Sequence, residues 1–426
     1  MFLVEVSIFH LLLIKKMFKK KVLFLLLLTF ANVYAHAQKF GENREKWIFS
    51  ISLAKANVLL NIELKKNSDN QWEGFIDNQQ EKVVFDRVIK TKDSLNLYID
   101  LYDAALLCKY DNEAKLRGDW VRFGLKEPFR VPLTAEIPMY SNYLEGSRLN
   151  STKDWAGKWE IFFEDNKQII GEFKNLEDNS FVGTFLSSSG DYRFLEGFCN
   201  QGVFYLFGFN GASAYIFIAE KDEKTGNIKG EMHSGRTGYK KFTGKKNAEA
   251  FLPDANKITY LKEGYKKLDF SFPNLDNQKI NLSDKKFKNK VVIVQLLGSW
   301  CPNCIDEIGY LSPWYQKNKK RGVEIIGLAY ERNAEFDIAK SKVEKIKKKF
   351  DIQYELLIAG TTEKENANAT LPMLNGVNAY PTTIFIDKKG KVRKIHTGFS
   401  GPATGKHYEE WQNDFNLFID TLLAEK

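Results

Sequence analysis

From about Trp47 to Pro253 apolar and polar residues alternate with a period of two, in short runs. Val58-Leu59-Leu60-Asn61-Ile62-Glu63-Leu64, Trp72-Glu73-Gly74-Phe75-Ile76 and Phe204-Tyr205-Leu206-Phe207 are examples. Successive side chains of a strand point to opposite faces, so these runs read as strands with one face toward a core. Asn67-Ser68-Asp69-Asn70, Ser187 to Gly190 and Lys224-Thr225-Gly226-Asn227 supply turns between them. The pattern repeats weakly with a period of roughly 110 residues. Trp47-Ile48-Phe49 matches Trp159-Glu160-Ile161-Phe162, Asn70 to Gly74 matches Asn179 to Gly183, and Lys115 to Gly118 matches Asn227 to Gly230. Two β-meander units are therefore expected, over 38–148 and 149–253, each a small barrel or half of a sandwich.

Beyond a linker expected at 254–263 the period changes. After a short Phe270-Ser271-Phe272 segment comes an apolar run, Val291 to Leu297, then a helical pattern beginning at Ile305 and reaching about Lys320. Val323 to Ala329 reads as a buried parallel strand. A helix at about 334–349, a strand at Tyr354–Ala359, a short helix near Lys364–Leu374 and strands at Thr382–Ile386 and Lys391–His396 follow. In the last helix Tyr408, Trp411, Phe415, Phe418 and Leu422 form one apolar stripe. Strand–helix alternation closing on a hairpin and a helix predicts a mixed sheet covered on both faces. The expected fold is thus multidomain, an all-β region followed by an α/β domain over 264–426.

Composition changes this picture little. The 426 residues allow two or three domains, and 43% hydrophobic and 27% charged residues are ordinary for a globular protein. The 33 phenylalanines and 18 tyrosines favour the β-rich portion. The net charge of +9 is spread along the chain. Its densest cluster, Lys340 to Lys349, alternates with Val343, Ile346 and Phe350 and reads as the solvated face of an amphipathic helix, not a nucleic-acid patch.

The N-terminus carries export signals. Lys19-Lys20-Lys21 precedes the apolar core Val22 to Phe30, and Val33-Tyr34-Ala35 and Ala35-His36-Ala37 suit signal-peptidase cleavage. Residues 1–37 are read as a signal peptide, with Met17 a better start than Met1. The expected location is periplasmic, with no stable membrane insertion after cleavage; an uncleaved N-terminal anchor is the alternative. With four cysteines, the chain is not stapled by disulfides. Cys108 and Cys199 are read as buried thiols, a disulfide between them being the alternative.

The remaining two cysteines carry the chemistry. Trp300-Cys301-Pro302-Asn303-Cys304 lies between the strand Val291–Leu297 and a helix. A helix N-terminus places free N–H groups and partial positive charge beside the first sulfur, which favours the nucleophilic thiolate. A zinc site would need further ligands; no second cysteine pair exists, and His396 and His407 lack ligand spacing. No metal or cofactor is expected.

This region, about 264–426, resembles the thioredoxin fold, and more narrowly the TlpA-type thiol–disulfide oxidoreductases of bacterial envelopes. The resemblance rests on Gly298 to Cys304 after the strand, on Tyr380-Pro381-Thr382-Thr383, on Glu307 and on the helix and strand at about 334–359, which plain thioredoxins lack. It implies that Cys301 attacks, that Cys304 resolves, that Pro381 is cis, and that Trp300, Tyr380 and Pro381 dock the substrate. Glu307 falls on the same helix face as Cys304, where a carboxylate takes the proton of the resolving thiol; the competing reading is a first-turn glutamate stabilised by the helix dipole. Two departures stand out: Gln295 replaces the buried aspartate of thioredoxin, and Pro302-Asn303 replaces Gly-Pro. The implied partners are protein disulfides and an upstream thiol electron donor. Alternatives are an oxidase or isomerase of the same fold, and a β-domain binding module with a subordinate redox domain. A thiol peroxidase fails on Val294 and Gly298, where that group carries proline and threonine or serine.

Overall fold

The computed structural model describes residues 43–78, 81–124, 129–138, 155–176 and 180–426. The expected signal peptide and the junction at 148/149 lie outside them. In the first β unit nine antiparallel strands follow one another around a ring. The first, Arg44–Ser52, pairs with both Asn57–Lys66 and the ninth, Phe129–Glu136. Among the described residues the ring is open only where Lys82–Val84 passes to Arg87–Lys90. Alternation does the folding here: Val58, Leu60, Ile62 and Leu64 of the second strand are buried, and the residues between them are not fully so.

The second unit closes completely. Gln168–Asn175 pairs with Gly157–Phe163 on one side and with Ser180–Ser187 on the other, and the two-residue strand Gly190–Asp191 is an appendage of Ser180–Ser187. Closure leaves no edge to protect. Its interior is filled by its own aromatic rings: Phe181 stacks on Phe204 and Phe185 lies tilted against Phe217, with centroids 4.7 and 4.3 Å apart. A filled interior counts against a ligand-binding barrel. The repeat is visible in three dimensions: Trp47 and Trp159 lie in the first strand of each ring, and Gly118 and Gly230 in the penultimate strand. At both glycines a side chain would strike the carbonyl of the neighbouring strand, Leu107 or Ile218.

The C-terminal domain is a five-stranded mixed sheet. Its strands are β1 (Val291–Leu297), β2 (Val323–Glu331), β3 (Glu355–Thr361), β4 (Thr382–Ile386) and β5 (Val392–Thr397), in the order β3-β2-β1-β4-β5. The first three are parallel, and β4 and β5 form the antiparallel hairpin. Helices α1 (Pro302–Asn318), α2 (Phe336–Lys349), α3 (Lys364–Thr370) and α4 (Lys406–Ala424) complete it. Every residue of β1 is buried, as a central parallel strand requires. Val291, Ile293 and Leu297 join the core beneath α1 and α4, while Val292, Val294 and Leu296 join the core beneath α3 and the segment Leu268–Phe287.

Two expectations need correction. α3 stops at Thr370, four residues early, because Leu371 precedes Pro372 and leaves the helical region at φ −131°, ψ 66°. The lysine-rich face of α2 is not simply solvated: Lys342 and Lys345 both pair with Asp103, and Lys349 with Asp86 at 3.0 Å, all on the first β unit. Charge that reads as a surface stripe is in part an interface. Apolar contact follows the same line, since the core under α1 is continuous with that of the first β unit and with Phe207, Phe209 and Ile216 of the second.

Candidate redox site

The strand-to-helix junction is built by short-range geometry. A side chain at Gly298 would collide with the Trp300 indole, so the chain turns tightly after β1. The helix starts at Pro302, earlier than the Ile305 expected, because Cys301 itself is the N-cap in extended conformation and proline suits the first helical position. The Cys301 Sγ accepts the Cys304 backbone N–H at 3.3 Å, and its own S–H faces the Tyr380 carbonyl at 3.5 Å. One turn inward, Cys304 is fully buried. Burial pushes its thiol well above the ordinary range, and the Cys301 sulfur adds to the shift. The Tyr380–Pro381 bond is cis, and the Pro381 carbonyl accepts the Gly398 N–H at 2.8 Å.

Beneath the two sulfurs lies a carboxylate. Glu307 is fully buried, and its oxygens accept the Thr383 hydroxyl and the Gln295 amide N–H, both at 2.6 Å. Burial pushes its carboxyl up to about 7, against the two hydrogen bonds. Its charge in turn raises the Cys304 thiol. The Gln295 Oε1 is buried without a partner among the described residues.

A second buried acid, Glu331 at the end of β2, accepts the Ser299 N–H at 2.8 Å and the Ser299 hydroxyl at 2.6 Å. The Trp300 indole donates to the Tyr330 carbonyl at 2.9 Å and meets the Tyr380 ring edge-on at 5.6 Å. β2 thereby clamps the loop that carries Cys301. The sequence reading missed Glu331; its signal is a charged residue at the carboxyl end of a buried parallel strand, where α/β sites gather.

The largest surprise is what covers the pair. Cys301 is only 5% exposed. Gly190 of the second β unit packs on the Asn303 side chain and the Phe399 carbonyl, leaving no room for a Cβ, and its φ of 136° suits glycine. Asp191 accepts the N–H groups of Arg193 and Gly401, each at 2.6 Å. The Arg193 guanidinium then joins three bodies, bonding Glu81 of the first β unit and Asp306 of α1, the latter at 3.0 Å. Burial pushes the Asp306 carboxyl up to about 7, against Arg193 and with Asp191 and Glu81. That Glu81, Gly190, Asp191 and Arg193 meet the motif is not visible along the chain, because more than a hundred residues separate them from it.

The structure thus brings Trp300, Cys301, Cys304, Tyr380 and Pro381 around one point, with Glu307 beneath. Cys108 is buried as a free thiol, pushed up to about 12 by burial, and Cys199 is buried in the core of the other β unit. The two sit in separate cores, so a disulfide does not join them. Among the described residues no three metal-ligating side chains cluster, and no helix is long and apolar enough to cross a membrane.

A solved thiol:disulfide interchange protein of the thioredoxin family from Chlorobium tepidum TLS aligns at 21% identity over 38% of this chain and 99% of its own, with a TM-score of 0.30. Residues 264–395 match the model of the AhpC/TSA family. A thiol-disulfide oxidoreductase ResA from Bacillus thuringiensis subsp. konkukian is 33% identical over 143 residues, 34% of this chain and 72% of its own length. Another from Geobacillus thermodenitrificans is 32% identical over 130 residues, 30% of this chain and 66% of its own length. With that likeness and this geometry, the chain belongs to the TlpA-type thiol–disulfide oxidoreductases of the thioredoxin fold.

Proposed function

We propose that the protein is an extracytoplasmic oxidoreductase that reduces protein disulfides through Cys301 and Cys304. The observation that carries this reading is the asymmetry of the pair. Cys301 caps the helix and holds the Cys304 N–H on its sulfur, whereas Cys304 is buried and kept protonated. Cys301 therefore attacks. Its sulfur bonds to one sulfur of the client as the client S–S bond breaks, and the other client half leaves as a thiolate. Cys304 then gives up its proton and displaces the bound half, leaving a Cys301–Cys304 disulfide and two client thiols. Glu307, with a carboxyl near 7 and acting on Cys304, is suited to take that proton. Trp300 and the Tyr380–Pro381 loop dock the client, and an upstream thiol donor restores the dithiol. The export signals at 1–37 support the location.

The β units give this chemistry a closed resting form. With Cys301 nearly inaccessible, a folded client reaches the sulfur only after Gly190 and Arg193 move off α1. Cys304→Ser is expected to accumulate mixed disulfides with clients and Cys301→Ser to accumulate none, as read on non-reducing gels after acid quenching. Trapping by neither variant removes the reading.

A further inference from the structure

Beside the covered dithiol a cleft runs between the first β unit and the redox domain. Its cavity holds about 50 Å³, room for a small anionic group and not for a whole ligand. Tyr102, Asp103 and Arg122 form one wall; Trp300, Glu331 and Arg332 form the other. Its charges are unequally satisfied. Asp103 is taken by Lys342 and Lys345, and Glu331 by the backbone and hydroxyl of Ser299. Neither arginine makes a contact ion pair among the described residues; Asp103 acts on Arg122, and Glu331 on Arg332, only through space. Arg122 ends its strand with a buried Nε that meets no acceptor among the described residues. Arg332 stands exposed over the face of the Trp300 ring, 5.2 Å from its centroid. Burial and the charge of Arg332 push the Arg122 guanidinium down to about 10. Two like charges facing one space, one of them with an orphaned donor, are both relieved by a single anion. A guanidinium fork matches a carboxylate in particular.

We infer that Arg122 and Arg332 form a carboxylate-binding subsite next to Trp300, and that the disulfides this protein reduces carry a carboxylate close to the sulfur that Cys301 attacks. This rests on the redox reading above and names its substrate class. The carboxylate has two sources: an acidic side chain flanking a cystine in an extended client segment, or a small thiol compound that bears its own carboxylates. The arginines act by holding the anion, and the electrons pass only between the substrate disulfide and the Cys301–Cys304 pair.

The test mixes reduced full-length protein, in single turnover, with two aromatic disulfides. 5,5′-Dithiobis(2-nitrobenzoate) carries a carboxylate on each ring, and 4,4′-dithiodipyridine carries none. In R122Q/R332Q, and in R332Q alone, where the exposed position spares the fold, the anionic disulfide is expected to react at least about tenfold more slowly. The neutral disulfide is expected to keep its rate. Equal slowing of both means that the arginines act on Cys301 itself, and slowing of neither means that no anion is held; either result overturns the subsite. If the parent chain reduces neither disulfide, the redox reading falls and the subsite with it. Cystine peptides flanked by glutamate or by lysine then separate the sources. An arginine-dependent preference for glutamate assigns the subsite to client segments, and a preference confined to the small disulfide assigns it to a free thiol compound.

Discussion

Gln295 and Glu307 are hydrogen-bonded beneath the dithiol, amide to carboxylate, at 2.6 Å. Here the strand supplies an amide, Gln295, and the helix supplies the acid, Glu307. The arrangement lets one ionisable carboxyl act on Cys304 while leaving the Gln295 side-chain oxygen without a partner among the described residues.

Glu307→Gln separates the two consequences. The carboxyl of Glu307 is raised from 4.5 to about 7, so the folded protein binds its proton more tightly than the unfolded chain does. Its burial cost is absent below about pH 4.5, grows as pH rises and is complete above pH 7, where it is on the order of 3 kcal/mol. The glutamine variant, in which no charge is buried, should be more stable than the parent in urea at pH 8 and nearly equal to it at pH 4. The step in which Cys304 resolves the mixed disulfide should lose its rise near pH 7. An unchanged pH profile in stopped flow removes Glu307 from the proton path.

Ser299→Ala tests the clamp from β2. It withdraws the hydroxyl from a buried carboxylate that keeps only the backbone N–H. A loss of about 1–3 kcal/mol is expected from leaving that oxygen unsatisfied. Because Trp300 and Cys301 follow directly, thiol exchange should slow as well. Full activity with the expected loss of stability shows that the clamp holds the fold and not the sulfur.

Arg193→Met tests closure. It strands Glu81 and Asp306, whose side chains are only 17% and 13% exposed. Breaking a buried pair by removing one partner costs about 3–5 kcal/mol. Gly190→Gln forces the same contact apart sterically and leaves the ion pairs in place. In both variants a maleimide on a polymer chain should reach Cys301 faster relative to N-ethylmaleimide. Equal access in the parent shows that the β units do not guard the sulfur.

The reduction potential of Cys301–Cys304 decides the direction of electron flow. A reductase is expected near the thioredoxin value of about −270 mV, measured against glutathione or dithiothreitol buffers; a value near −120 mV favours oxidation of clients.

Local pattern was enough for much of this. The period of two over Val58–Leu64 predicts strands, and the spacing of Tyr408, Trp411, Phe415 and Phe418 predicts the stripe of α4, because side-chain direction along one element follows from backbone geometry alone. Cys301, Pro302 and Cys304 are legible for the same reason: a cap, a first-turn proline and a residue one turn on are local relations. Whether Glu307 meets Gln295 and Thr383, whether Glu331 holds Ser299, and that Arg193 ties α1 to both β units depend on three surfaces meeting. Periodicity says which face of an element is apolar but not which partner covers it, so a lysine stripe on α2 and a turn at Ser187–Gly190 look like solvent-facing features until the fold brings Asp103 and Asn303 against them. The motif and its flanking periodicity specify the dithiol and the strand and helix that carry it; the closing of the β units over Cys301 emerges only in the folded chain, because packing between distant segments is written in no single stretch of it.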